Sequence, residues 1–543
     1  MPIYQIAPLA PAIVLLLGAA LILIVGPGLT PRHRHGLAVA VSALAVFSLF
    51  FVGKGYTAET QPVRILVEWL GQPALAWRVS PFEPYLYLLT LSVLAMSLAE
   101  WKLIGRLSSL DQAMLFALTA AACGVVLAGN FVSLAFALLL FDATAAIFAL
   151  NTGHPQRAVW RLLLGVLSCA AVMALAQGTD YFRAHPHELG VLFALTVWLR
   201  VGLYPLAESD ASDGSPRPMR LGWTIVNLTV GLYLITASAV PWLGWLAGAT
   251  TLLHGALAWL EPSQERALMH LGYGLAGGIL TMAAVAGTGP SVVAASIGTL
   301  AALAALELTP SESDRSQWAR PQLVWASLPP LLATITLTGV PLTLGWAGRG
   351  ALYQATWEAR ALVVLALVVV AEGAALSVLY RYWEGLLGRT PSVVPANNRV
   401  STKSPSETDG DSWHKDGLWP LLGATLVCIP FLIPVLGPRL AMGVSATMVT
   451  GSSMWLALLG LVGSLLWALF LGHGRRRLLD SSPVSRRGLA GALRLGWLLR
   501  TLGFGLDTLG RIILRVRAVI EGEHYLAWAI LLALGLGVAI LLR

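Results

Sequence analysis

The sequence predicts an all-α polytopic membrane protein with about 14–16 transmembrane helices. Three observations predict it. The chain of 543 residues is 57% hydrophobic and only 11% charged, where a soluble domain carries about 25% charged residues. Its apolar residues fall in runs of roughly 20, the length that crosses a bilayer core. The loops between those runs carry Lys and Arg with a strong bias toward alternate loops, as the positive-inside rule requires of a multi-pass chain.

Taken in order, sixteen candidate spans lie at about 7–26, 36–53, 81–101, 111–129, 131–150, 159–177, 189–207, 220–239, 241–260, 265–286, 291–307, 322–346, 361–385, 417–437, 452–472 and 524–542. The first run, Ala7–Gly26, lacks a basic flank and is long enough to span, so it reads as a helix and not a cleaved signal. Tyr56–Ser80 reads as an outer loop, and the alternation in Val63–Trp69 predicts a hairpin there. The 54 glycines suit close helix packing. Cys123, Cys169 and Cys428 all fall in apolar runs without CxxC spacing, so they read as small core residues.

With the N-terminus outside, 26 of the 35 Lys and Arg fall in inner segments. Eight take outer positions: Lys54, Arg64, Arg78, Arg183, Arg349, Arg360, Arg439 and Arg543. Arg200 lies within a span. This bias places the chain in the cell inner (cytoplasmic) membrane, multi-pass, with the lipid bilayer as its surroundings. It also accounts for the net charge of +8 as topology, with no nucleic acid partner. Two inner segments are soluble. Gly388–Gly417 is Ser-, Pro-, Asn- and Asp-rich and reads as a polar linker. Gly472–Glu523 alternates ten arginines, from Arg475 to Arg517, with leucine, tryptophan and isoleucine; it reads as a basic amphipathic segment on the inner membrane surface.

The ionisable residues inside the spans are the candidate site. They are Asp142, Arg200, His254, His270 and Glu372, with Arg349 following the twelfth span. Such groups are costly in a bilayer, face a bundle interior and pair with one another. Asp142 and Arg200 are the natural acid–base pair. A proton on the acid would change how tightly the base is held, which is the elementary step of a relay; a static ion pair is the plain alternative. Arginine stays protonated, so Arg200 suits an electrostatic partner and not a proton carrier. The histidines and Glu372 fit either relay or packing. Arg200 is followed by Pro205 and an acidic Gly/Ser/Pro stretch, the pattern of a broken helix.

Arg200, Pro205 and Leu206 resemble the broken seventh helix of the antiporter-like membrane subunits shared by respiratory complex I and Mrp sodium/proton antiporters. The segment Leu337–Arg349, LTGVPLTLGWAGR, is similar to that family's twelfth-helix pattern, with Gly339, Pro341 and Gly345 in place and Arg349 at the terminal charge. Asp142 stands where the family has a helix-5 glutamate. Gln264–Leu268 resembles the family's Asp-x-Lys-Arg-x-Leu before helix 10. The departures are marked. Arg200, Ala207 and Ser209 replace lysine, histidine and tryptophan, the helix-8 histidine falls near Trp223, and Ser291–Leu308 lacks the helix-11 His-x-x-x-Lys. The resemblance covers roughly residues 110–385 and implies two inverted five-helix repeats with broken helices 7 and 12. The implied organisation is helices 1–3 over 1–110, repeats over 111–240 and 241–386, the linker over 387–416, helices 14 and 15 over 417–473, the amphipathic segment over 474–523 and a last helix over 524–543.

The resemblance implies a proton-translocating subunit of a complex I-like or Mrp-like multisubunit complex. Two alternatives stay open: a non-conducting structural subunit of such a complex, or a membrane partner of an inorganic-carbon uptake pump. No nucleotide, flavin, haem, iron–sulfur or metal motif is found. The chain is therefore expected to hold no cofactor and no catalytic centre, and to draw on an NADH/quinone oxidoreductase-like translocase through other membrane subunits.

Overall fold

A computed structural model describes residues 9–53, 64–69, 72–77, 83–99, 108–151, 155–177, 191–192, 194–198, 225–234, 243–286, 290–308, 320–340, 343–358, 360, 362–386, 452–479, 488–490 and 492–493. The helices are α1 (Ala10–Val25), α2 (Pro31–Gly53), α3 (Glu83–Ala99), α4 (Ser109–Leu127), α5 (Phe131–Asn151), α6 (Pro155–Gln177), α7 (Leu243–Leu260), α8 (Gln264–Ala286), α9 (Pro290–Leu308), α10 (Arg320–Thr338), α11 (Leu344–Glu358), α12 (Leu362–Leu386) and α13 (Ser452–Leu479). Residues 194–198 and 225–234 are also helical. Every expected span has helix among its described residues except 417–437 and 524–542, which lie outside the described residues. Six of the helices are long and apolar enough to cross a membrane. The chain is a multi-pass membrane protein.

The expected hairpin is present. Strands β1 (Arg64–Trp69) and β2 (Gln72–Trp77) pair antiparallel. Its end is tied to the turn between α4 and α5 and to the first turn of α5: Gly129 N donates to Ala76 O at 2.8 Å, and Ala76 N to Ser133 Oγ at 2.7 Å. α4 opens with a capping box. Ser108 Oγ accepts from Asp111 N at 3.0 Å, and Asp111 Oδ2 accepts from Ser108 N at 3.1 Å, which satisfies two otherwise orphaned donors.

The helices to Leu479 belong to one compact unit, residues 1–481, with a continuous apolar core from Ala12 to Ala468. Of the second unit, 482–543, residues 488–490 and 492–493 are described and helical. Small residues set the tight crossings, as expected where helices gain by close packing and not by leaving water. A Cβ at Gly255 of α7 would lie 2.8 Å from Ala371 O of α12, and one at Gly277 of α8 would lie 2.8 Å from Thr251 Oγ1 of α7. Cys123 is buried and Cys169 half-buried; both are free thiols, as expected. Cys428 lies outside the described residues.

Two expectations change. The twelfth span is broken, as the resemblance implies, but Arg349 is not at the outer surface. The span is two half-helices, α10 and α11, and Arg349 is buried at 7% exposure within the second. The fifteenth span does not end at 472, because α13 continues to Leu479 and carries Arg475–Arg477 in its last turns. The rest of the amphipathic segment, apart from the few helical residues named above, lies outside the described residues.

Candidate functional site

The site is built around the gap between α10 and α11. α10 ends in a Schellman cap. Gly339 N donates to Thr336 O at 3.0 Å and Val340 N to Ile335 O at 3.1 Å. Gly339 takes φ +68°, the left-handed conformation that glycine adopts without penalty. α11 restarts at Thr343, whose Oγ1 accepts from Trp346 N at 3.3 Å as an N-cap. The break leaves the Thr338 carbonyl without an intrahelical partner. Arg349 Nη1 donates to it, so a cation holds the negative end of the first half-helix, the arrangement broken membrane helices use for cations. A Cβ at Gly339 would lie 2.6 Å from Arg349 Cδ, so glycine is needed for both the turn and the arginine stem.

Arg349 also reaches α12. Its Nε lies 3.5 Å from Glu372 Oε2, with both side chains about 7–8% exposed. Tyr353, one turn further along α11, donates its hydroxyl to the same Oε2 at 2.8 Å. Arg349 and Tyr353 stand four residues apart, so they share one helix face. Both bind one carboxylate oxygen, and no hydrogen bond to Oε1 occurs among the described residues.

A second cluster lies on α7 and α8. His254 Nδ1 and His270 Nδ1 are 3.1 Å apart, with both rings buried. One Nδ1 must carry the proton and the other must accept it, so the two imidazoles hold opposite tautomers when neutral. Tyr273 packs beside them, its ring centroid 5.4 Å from that of His254.

The clusters adjoin. Gly255, directly after His254, packs on the Ala371 carbonyl, directly before Glu372. Between them lies a cavity of about 40 Å³, lined by Thr251, Gly274, Thr299, Thr336, Arg349 and Glu372, with apolar neighbours. Thr251 precedes His254 by three residues and Gly274 follows His270 by four, so the histidine pair sits one helical turn from the cavity wall. The volume holds about three water molecules, and its lining offers them the polar partners they need.

Asp142 is buried on α5 at 2% exposure, nested against α6 where a Cβ at Gly165 would lie 2.5 Å from its Oδ2. Arg200, Pro205 and Pro341 lie outside the described residues, and so does the expected Asp142–Arg200 pairing. Gly345 sits where a Cβ would overlap the Thr336 carbonyl. Of the sequence-expected groups, the structure joins Arg349 to Glu372 and His254 to His270. It adds Tyr353 and the three threonines. Only Tyr353 had a signal in the sequence, its four-residue offset from Arg349. Among the described residues no group of His, Cys, Asp or Glu is arranged to hold a metal ion.

Comparison with solved structures gives the fold. The chain is similar to one in the membrane-bound sulfane sulfur reductase (MBS), an archaeal respiratory membrane complex: TM-score 0.65, 15% identity, 99% of each chain covered. It is similar to a chain of the Mrp complex from Dietzia sp. DQ12-45-1b, with TM-score 0.66 and 16% identity over 98% of this chain; it spans 62% of that longer chain. The fold is that of the antiporter-like membrane subunits. Respiratory complex I from Thermus thermophilus, with bound aureothin, supplies a further match: TM-score 0.54, 17% identity, 78% of this chain and 98% of that one. No family model and no curated protein matches the sequence. In this antiporter-like fold the broken helix α10–α11 carries Arg349, as the resemblance implied.

Proposed function

We propose that the chain is a proton-translocating subunit of a multisubunit membrane complex of the complex I or Mrp kind, and that part of its path runs between the His254–His270 pair and Glu372. The observation that carries this reading is a water-sized cavity that Arg349, Glu372 and three threonines line among apolar residues, one helical turn from the buried His254–His270 pair. In this path a proton hops between the two Nδ1 atoms, passes through water in the cavity and loads Glu372. Protonation removes the negative charge facing Arg349, which stays charged and remains held by the Thr338 carbonyl. Arg349 thus reports the state of Glu372 to the joint between the half-helices. Asp142 and Arg200 would form the corresponding acid–base step in the first repeat. The driving reaction belongs to partner subunits.

One observation favours the non-conducting reading: an ever-charged arginine fastened to both a carbonyl and a carboxylate is also a good structural staple. Proton flux separates the two. The intact complex, purified through this chain and placed in liposomes, is expected to lose flux with Glu372→Gln while its subunits stay assembled. Wild-type flux in that variant would establish the staple and remove the path.

A further inference from the structure

Tyr353 and α13 are not absorbed by the reading above. The Tyr353 phenol is fully buried and donates to Glu372 Oε2. It is held from the opposite side by α13. A Cβ at Gly460 would overlap the Tyr353 ring. α13 also touches the backbone beside the carboxylate. A Cβ at Gly373 would lie 2.6 Å from Trp467 Cδ1 and 2.8 Å from Ser464 O. One face of α13, Gly460–Ser464–Trp467, therefore grips both the residue after Glu372 and the tyrosine that binds it.

We infer that Tyr353 is a positioning residue for proton loading at Glu372, and that α13 sets its position through Gly460. The inference rests on the proposed proton path and names its control element. Oε2 is committed to the two donors on α11, Arg349 and Tyr353, which turns the other oxygen over to proton exchange at the cavity that Glu372 lines. A shift of α13 against α11 displaces the phenol and leaves Oε2 to Arg349 alone. The titratable and charged groups around Glu372 are few. α11 brings Arg349 and Tyr353, α7 and α8 bring the His254–His270 pair one turn beyond the cavity, and α9 and α10 bring the neutral Thr299 and Thr336. The stretch of α13 that faces the site, Gly460–Trp467, has no ionisable side chain.

The test is proton flux against pH for the intact complex in liposomes, with Tyr353→Phe, Gly460→Ala, Gly463→Ala and Glu372→Gln. A bond to a charged group is worth enough to move the pH midpoint of flux by about one unit or more. Tyr353→Phe and Gly460→Ala are expected to move it so, the second with its phenol intact. Gly463, whose added Cβ would meet only Val369 Cγ1 at 3.4 Å, is the control on the same helix and keeps the wild-type profile. If Glu372→Gln abolishes flux but Tyr353→Phe and Gly460→Ala superimpose on wild type, the positioning role is overturned and the path survives. If Glu372→Gln leaves flux intact, the path falls and this inference falls with it. Should Tyr353→Phe fail to assemble, Gly460→Ala decides: an unmoved midpoint refutes the role.

Discussion

The Arg349–Glu372 pair offers a perturbation in which stability and transport should part company. At 3.5 Å the two charges attract by about 5 kcal/mol at an effective dielectric constant of ~20. Burying each ion costs several kcal/mol, so the net worth of the pair is small. Removing one partner is another matter, since it strands the other charge in the core. Arg349→Met and Glu372→Leu, made singly, are each expected to destabilise by about 3–5 kcal/mol. Arg349→Met also orphans the Thr338 carbonyl, which places it at the upper end. The double variant Arg349→Met/Glu372→Leu removes both charges and fills the space with apolar atoms. Its stability is expected to return to within about 1–2 kcal/mol of wild type, while proton flux stays lost. The measurements are thermal unfolding of the detergent-solubilised complex, followed by intrinsic fluorescence, and flux in liposomes on the same preparations. Single variants as stable as wild type would refute the buried pair. A double variant that pumps at the wild-type rate would refute its role in transport.

Gly339→Ala puts a Cβ at φ +68° and against the Arg349 stem; the strained backbone costs about 1–2 kcal/mol and the overlap about 1–3 kcal/mol more. Its unfolding midpoint should fall clearly below that of wild type, whereas Gly278→Ala, whose Cβ would meet nothing within 4 Å, should be neutral or stabilising. His254→Phe removes one half of the shared-proton pair and is expected to slow flux by about a hundredfold, so undiminished flux would show that protons bypass α7. Gly165→Ala drives a Cβ into the Asp142 carboxylate and should separate α5 from α6; unaltered yield and unfolding of the complex would show that the crossing is looser than described. Ser108→Ala removes the α4 cap and should cost about 1 kcal/mol, readable as a small drop in the unfolding midpoint with flux preserved.

Much of the architecture was legible in the sequence because the bilayer permits so little else. A run of about 20 apolar residues has to form a helix, since no water is present to satisfy an open backbone. That argument located α1–α9 and α12 to within a few residues. The twelfth span was harder. LTGVPLTLGWAGR announces a break through Gly339 and Pro341, but hydropathy does not say on which side of the break the helix resumes, and Arg349 was placed outside when it is inside. The site was legible as a set of costly residues and not as a set of pairs. Asp142, His254, His270, Arg349 and Glu372 all stood out because charged or titratable groups are rare in these runs. Thr251, Thr299 and Thr336 did not, because hydroxyl-bearing residues are common in membrane helices and bear no mark of what they line.

The sequence by itself determined the helical class, the span positions and the short roll of residues that have to be answered for inside a membrane. These follow from local facts: the transfer cost of each side chain and the periodicity and punctuation of each run. Which residues meet was decided only by the tertiary structure, since contact between α11, α12 and α13, or between α7 and α8, joins positions up to more than a hundred residues apart. Gly255 against Ala371, Gly373 against Trp467 and Gly460 against Tyr353 set those contacts. Each is a glycine whose missing side chain shows its purpose only when its neighbour in space is known.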